Sequence, residues 1–329
     1  MSLRRFGRFL AATTTTALAL TLAPVAVAED TTVEFSVSNI TDFHGRLEAN
    51  SRNGELGAAL LTGLNNQING PENILTTSGD NVGGSAFVSA ITDDRYTMEF
   101  LNAAGLGASA VGNHEFDKGQ QDLLERIVPA SAYPILGANV YRADGSRLLP
   151  ASTVVEQEGV RIGFVGTVAT STAAKVSPAG ITGLEFRDPV VETNTEARRL
   201  KDSGEADVVI ALFHEDAARY VGGFDAEVVD FLFGGDSHQQ YAVADAPLPY
   251  AQSLEYGKIL TDVDFTFNTG TRKIESVTIE QYDYARAESL GVVPDAAVTA
   301  IVTAAKEQAD AVGEQVVATL GNSFYRGNN

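Results

Sequence analysis

The chain has 329 residues, a formal net charge of −20 at pH 7 and no cysteine. Such an acidic balance leaves no basic surface for a non-specific nucleic-acid or anionic-membrane binder, although bound divalent cations can reverse the field locally for a small anionic substrate. Without cysteine there is neither a disulfide nor a thiol to acylate, so stability rests on an ordinary core and any metal site on oxygen and nitrogen ligands.

Residues 1–28 read as a secretory signal peptide. Arg4, Arg5 and Arg8 form a basic start, "FLAATTTTALALTLAP" an apolar middle, and Ala26-Val27-Ala28 a small-residue cleavage site. That middle is too short and too diluted by threonine to span a bilayer. Export to the periplasm, cell envelope or extracellular medium is therefore expected, with no stable membrane insertion. Beyond it, strands are predicted at 33–40, 73–78, 108–112, 133–140, 207–213 and 228–234, and helices around 54–68, 86–104, 118–128 and 192–203. This alternation argues for an α/β domain. Two segments, 153–168 and 259–282, read instead as hairpins turning at Glu158-Gly159 and Asn268-Thr269-Gly270. They predict two mixed sheets rather than one doubly wound sheet. A last helix is predicted over 294–320, with Pro294 at its start and Gly321 after its end.

Five of the strand candidates run into side chains suited to metals. The first gives Asp42 and His44, whose i, i+2 spacing in extended backbone puts both on one face. The others give Asp80, then Asn113, His114 and Asp117, then His214, then Asp236 and His238. Singly, each has an ordinary explanation: a histidine at a strand end is usually just hydrogen-bonded, and Asp-Asn beside glycine is turn chemistry. "GDNVGGS" also lacks the lysine of a phosphate loop. Taken together they say more. All four histidines directly follow an apolar run and each has a carboxylate within three residues. In α/β sheets the loops after strand carboxyl ends are where sites assemble.

In that order, Asp42-x-His44, Gly79-Asp80, Gly112-Asn113-His114-Glu115, His214 and the Gly-x-x-His element at 235–238 resemble the calcineurin-like metallophosphoesterases, over roughly residues 33–290. "GNHEFD" and the export signal narrow the resemblance to the secreted 5′-nucleotidase, UDP-sugar hydrolase and 2′,3′-cyclic phosphodiesterase group. The resemblance implies a four-layer α/β/β/α sandwich with a dinuclear site at the strand ends, holding two divalent metal ions such as Mn or Zn. Asp80 would bridge the ions. Asp42, His44 and His238 would complete the first site, and Asn113, His214 and Asp236 the second. His114, oriented by Asp117, would face the phosphate, with Asn113 also contacting substrate. The chemistry is coherent: phosphoryl transfer needs positive charge on the equatorial oxygens and an in-line hydroxide, and paired cations supply both.

The resemblance is incomplete at two places. Members of the group usually carry histidine where Asp236 stands. Two registers fit "GGDSHQQY": Asp236 with His238, preferred because Gly234-Gly235 ends the strand, or His238 with Gln240 after an insertion. The group also usually continues into a C-terminal domain that binds the nucleobase. Residues 29–290 are expected to be the catalytic domain and 291–329 a helix leading toward that domain, which the sequence does not contain. The expected activity is hydrolysis of nucleotide phosphate esters, weak and poorly selective. The alternative is a non-catalytic exported domain that binds metal or nucleotide. Oligomeric state is left open.

Overall fold

In the computed structural model, which describes residues 31–70, 73–319 and 321, the apolar runs become strands. In chain order these are β1 (Thr32–Ile40), β2 (Ile74–Thr77), β3 (Leu106–Ala110), β4 (Ile135–Leu136), β5 (Val140–Arg142), β6 (Ser152–Gln157), β7 (Val160–Val168), β8 (Leu184–Phe186), β9 (Val208–His214), β10 (Phe231–Gly234), β11 (Gln240–Val243), β12 (Tyr250–Ser253), β13 (Leu260–Asn268) and β14 (Lys273–Tyr282). The signal-peptide reading falls outside the described residues.

Two six-stranded sheets result, ordered β14-β13-β1-β2-β3-β4 and β11-β12-β10-β9-β7-β6, and β5 pairs separately with β8. In the first, β1 to β4 run parallel. In the second, β7, β9, β10 and β12 do so. Both predicted hairpins form: β6 with β7 and β13 with β14 are antiparallel edges that make each sheet mixed. The Glu158-Gly159 turn has both residues at positive φ, 51° and 76°, the backbone that a tight hairpin with twisted strands requires.

The period-two alternation then builds layers. Phe35 and Val37 of β1, Phe265 of β13, Ile162 and Phe164 of β7, Ile210 and Leu212 of β9, and Phe231 and Phe233 of β10 fill the space between the sheets. There Phe35 stacks on Phe265 at 4.9 Å between ring centroids. The alternate residues of β9 and β10, Val209, Ala211, Phe213 and Leu232, pack outward with Ala197 and Leu200 of the helix Pro189–Asp202. On the far side of the other sheet, Leu75 and Leu106 meet Leu61 and Leu64 of Gly57–Asn69, Phe100 and Leu101 of Arg95–Ala103, and Val298 and Ala305 of Ala296–Gly313. The order helix, sheet, sheet, helix is the four-layer sandwich expected. Each fully buried large apolar side chain contributes about 1.5–3 kcal/mol.

The sheets approach closely where β7 faces β4. A Cβ on Gly166 would lie 2.5 Å from the Leu136 Cβ and 2.9 Å from its carbonyl oxygen. Gly166→Ala is therefore expected to destabilise the fold by about 2 kcal/mol or more, read as a lowered urea midpoint. A midpoint unchanged from wild type would mean that the sheets can part there at no cost.

Several predicted elements differ in detail. The single helix expected over 86–104 is split, because Asp93 and Asp94 are left-handed (φ 53° and 61°) and end the turn Phe87–Ala90 before Arg95–Ala103 begins. The run 133–140 divides into β4 and β5, which belong to different sheets. The last helix starts where expected, with Asp295 Oδ1 accepting from Val298 N at 2.9 Å, but ends at Gly313 rather than Leu320. Val316 and Val317 are almost fully exposed, so no buried face extends the helix through them. The hairpin of β11 and β12 is not among the expected elements; its strands are only four residues long.

Candidate metal centre and active site

The carboxyl ends of β1, β2, β3, β9 and β10 lie along one rim, and each carries predicted site residues in the loop that follows or in its last position. On β9, His214 continues the row of Val208, Ile210 and Leu212 that faces the other sheet, so its ring is fully buried between the sheets. At β1 the sequence argument needs correcting. The strand stops at Ile40, and Asp42 and His44 are not extended but left-handed, with φ of 50° and 47°. They converge because the loop turns back on itself. Asp80 (54°), Asp236 (60°) and His238 (53°) share this conformation. Left-handed backbone costs a non-glycine residue about 1 kcal/mol. Neighbouring loops hold it in place. Asp42 N donates to Gly79 O at 3.0 Å, His44 N to Asp80 O at 3.1 Å and Gly45 N to Asn81 O at 3.2 Å. Asp236 N donates to Asp42 Oδ2 at 3.1 Å, joining the loops of the two sheets.

Within this frame the side chains converge. His214 Nε2 stands 3.2 Å from Asp80 Oδ2 and 3.7 Å from Asp236 Oδ1. His44 Nε2 lies 3.9 Å from Asp80 Oδ2, and His238 Nε2 3.4 Å from Asp42 Oδ1. Ligand atoms within 4.8 Å of one another define three overlapping groups: Asp42, His44 and His238; Asp42, Asp80 and His214; and His44, Asp80 and His114. Asn113 sits beside Asp236, its amide 2.9 Å from Asp236 Oδ1. Gln240 is not in the cluster; it opens β11, is exposed, and donates to Gln281 at 3.0 Å.

These residues fit a metal. His44 Nδ1 and His214 Nδ1 each lie 2.7 Å from a backbone carbonyl, of Gly83 and Ser78, which orients Nε2 into the cluster as ligating histidines require. Asp42 Oδ1 and His214 Nε2 are buried without a hydrogen-bond partner. Buried polar atoms are seldom left unmatched, and cations held in the cluster would match them. The field also favours positive charge. Burial alone would lower the His214 pKa, yet the Asp80, Asp42 and Asp236 carboxylates push it up to about 10. Burial likewise works to raise Asp80, but the surrounding histidines, His214 foremost, hold it well below the usual carboxylate range.

His114 and Asp117 form the rim. His114 Nδ1 is 2.8 Å from Asp117 Oδ2, both side chains are about a third exposed, and the His114 ring meets His44 edge-on at 4.9 Å. The Asp117 hydrogen bond, outweighing partial burial, raises the His114 pKa to about 9. A cavity of about 140 Å³ opens beside the pair, lined also by Gly83, Gly84, Lys118 and Arg126. A larger cleft of about 500 Å³, lined by Lys201, Asp207, Asp230 and Arg272, lies near the amino end of β9 and contains none of the cluster.

The sequence reading places Glu115 in its motif but gives it no role. Its carboxylate is buried and accepts from Gly112 N (2.6 Å), Asn81 N (2.8 Å), Asp80 N (3.0 Å) and Val82 N (3.4 Å). It thereby ties the loop after β2 to the loop after β3. Burial, with the Asp80 charge, pushes its pKa up to about 7 against the pull of those N–H groups. The two loops touch so closely that a Cβ on Gly112 would lie 2.1 Å from Asp80 Oδ1. Glu115→Ala strands buried N–H groups and is expected to cost about 3 kcal/mol of stability, measured by urea denaturation. A cost below about 1 kcal/mol would mean that water or a neighbour replaces the carboxylate.

A two-sheet α/β sandwich with a histidine–aspartate cluster at its strand ends defines a metallohydrolase-type centre. Residues 36–240 match the calcineurin-like phosphoesterase family, and the chain belongs to it. It is similar to Endonuclease YhcR of Bacillus subtilis (strain 168), 29% identical over 268 residues, 74% of this chain and 22% of that protein. It is also similar to a 5′-nucleotidase of Vibrio parahaemolyticus, 30% identical over 282 residues, 73% of this chain and 50% of that protein. Among solved structures, the calcineurin-like phosphoesterase YfkN from Bacillus subtilis superposes with a TM-score of 0.73 at 20% identity, over 87% of this chain and 100% of that one. The chain thus spans about half or less of the length of these two curated relatives.

Proposed function

We propose that the chain is an exported, metal-dependent phosphoric ester hydrolase acting on nucleotides in the manner of a 5′-nucleotidase. The observation that carries this reading is the placement of the His114–Asp117 pair on the open rim of a buried histidine–aspartate cluster. A domain that only bound metal would have no use for an exposed imidazole held by a carboxylate and set edge-on against His44 of the cluster. The export part rests on residues 1–28 and on the 5′-nucleotidase likeness. Residues 29–290 would be the catalytic unit.

Asp80, between the histidines of both loops, is the natural bridge for two divalent ions. Asp42, His44 and His238 would complete one site, and Asn113, His214 and Asp236 the other. Bound there, the ions would supply positive charge to the phosphate oxygens and acidify a water. The protein's own contribution is orientation and proton handling. The carbonyls of Gly83 and Ser78 fix the rings of His44 and His214. Asp117 holds the His114 ring through Nδ1, leaving Nε2 free to donate to a phosphate oxygen or to the leaving oxygen.

The test is phosphate release by the purified protein after metal removal and restoration with Mn²⁺ or Zn²⁺. The substrates would be 5′-AMP, 2′,3′-cyclic AMP, UDP-glucose and single-stranded DNA. Metal-dependent release from 5′-AMP supports the reading. Preference for DNA, an outcome suggested by the endonuclease relative and opposed by the acidic charge, would replace the substrate. No release from any ester would leave only a binding domain.

A further inference from the structure

Lys175 is a residue the proposed chemistry does not use. It ends the short helix Thr172–Lys175, which follows the carboxyl end of β7. The same loop is tied to β9 through Ala169 N, which donates to His214 O at 3.1 Å. From there Lys175 reaches the cluster. Its Nζ contacts Asp236 Oδ1. Among the described residues, it is the lysine or arginine that pairs with one of the carboxylates Asp42, Asp80 and Asp236.

We infer that Lys175 competes with the second divalent cation for Asp236, so that the second ion is held more weakly than the first. The inference rests on the two-cation reading above. An ammonium and a divalent cation repel strongly at contact distance, and both cannot use the same oxygen atoms. Among the described residues no lysine or arginine pairs with Asp42, so the first ion has no such competitor. Lys175 is 36% exposed and Asp236 14%. The lysine therefore has solvent to swing into when a cation displaces it. Turning the Asn113 amide over, so that it donates to Asp236 Oδ1, leaves the Lys175–Asp236 contact in place. In effect the Asp236 charge is already neutralised by the chain itself, and occupancy of the second position becomes sensitive to the surrounding metal concentration.

Calorimetric titration of the metal-free full chain with Mn²⁺, with bound ions counted by elemental analysis, tests this. The wild type is expected to fill in two steps. Lys175→Met is expected to tighten the weaker step roughly tenfold and leave the tighter one unchanged. Lys306→Met serves as a control: it removes an ammonium that pairs with Asp310 on the last helix, and it is expected to move neither step. Two steps unchanged in Lys175→Met, or equal tightening of both steps by both variants, would overturn the competition and leave the two-cation reading standing. A single bound ion at saturation in wild type and Lys175→Met alike would overturn both.

Discussion

His114→Ala is expected to lower phosphate release from 5′-AMP by roughly 10²–10⁴-fold while leaving bound metal and thermal stability close to wild type. The expectation follows from where the residue stands. Its ring is held by Asp117 at 2.8 Å and projects from the rim, a third exposed, and it packs edge-on against His44 without filling a core position. Its backbone, not its side chain, secures the loop, since His114 N donates to Asp80 Oδ1 at 2.7 Å and alanine keeps that bond. The variant therefore separates proton donation from metal binding. Asp117→Asn should show a smaller loss, because the ring keeps its place but loses the charge that raises its pKa. Equal kcat for His114→Ala and wild type, at matched metal content, would remove His114 from the chemistry and restore the binding-domain alternative.

Asp80→Ala is expected to abolish both bound metal and hydrolysis, the largest single effect in the site. His214, His44 and His114 all act to keep this one carboxylate ionised, and it lies within reach of the three together. Losing it would break each of two proposed ion sites at once, whereas His238→Ala or Asp236→Ala should weaken one. It would also strip His114 N of its acceptor and leave the fully buried His214 without its nearest carboxylate. An uncompensated buried group of this kind costs about 3–5 kcal/mol, so the melting temperature should fall in metal-free buffer too. Elemental analysis and phosphate release on the same preparation decide the matter. Retained metal with retained activity would show that Asp80 is not the bridge.

Much of this was legible in the sequence because two periodicities coincide. Apolar alternation marked the strands, and the same runs ended at the polar residues that the fold gathers at one rim. The hairpins were legible from their turn residues, and two mixed sheets followed from them. What could not be read was backbone conformation. Asp42 and His44 look like neighbours on an extended strand, and nothing in the spacing announces left-handed φ. Nor does sequence distinguish Glu115, next to three named site residues, as the carboxylate that binds backbone rather than metal. Lys175 was invisible for another reason. It comes from a loop after β7 with no histidine or aspartate of its own, and only the packing of β7 against β9 brings it to Asp236. Four-residue strands such as β11 and β12 are too short for an alternation to stand out, their pairing being imposed by β10 alongside.

The left-handed backbone at Asp42, His44, Asp80, Asp236 and His238 narrows the alphabet available to those positions. Each must satisfy the loop as well as the cluster. Asparagine, aspartate and histidine are the non-glycine residues most at home there, since a short polar side chain can bond locally. All three carboxylates facing the cluster are aspartates, and in these terms glutamate is no conservative exchange: it keeps the charge but forfeits the turn. Substitution at this rim is therefore constrained twice over, and a change that preserves ligand chemistry alone will still have to bend the chain.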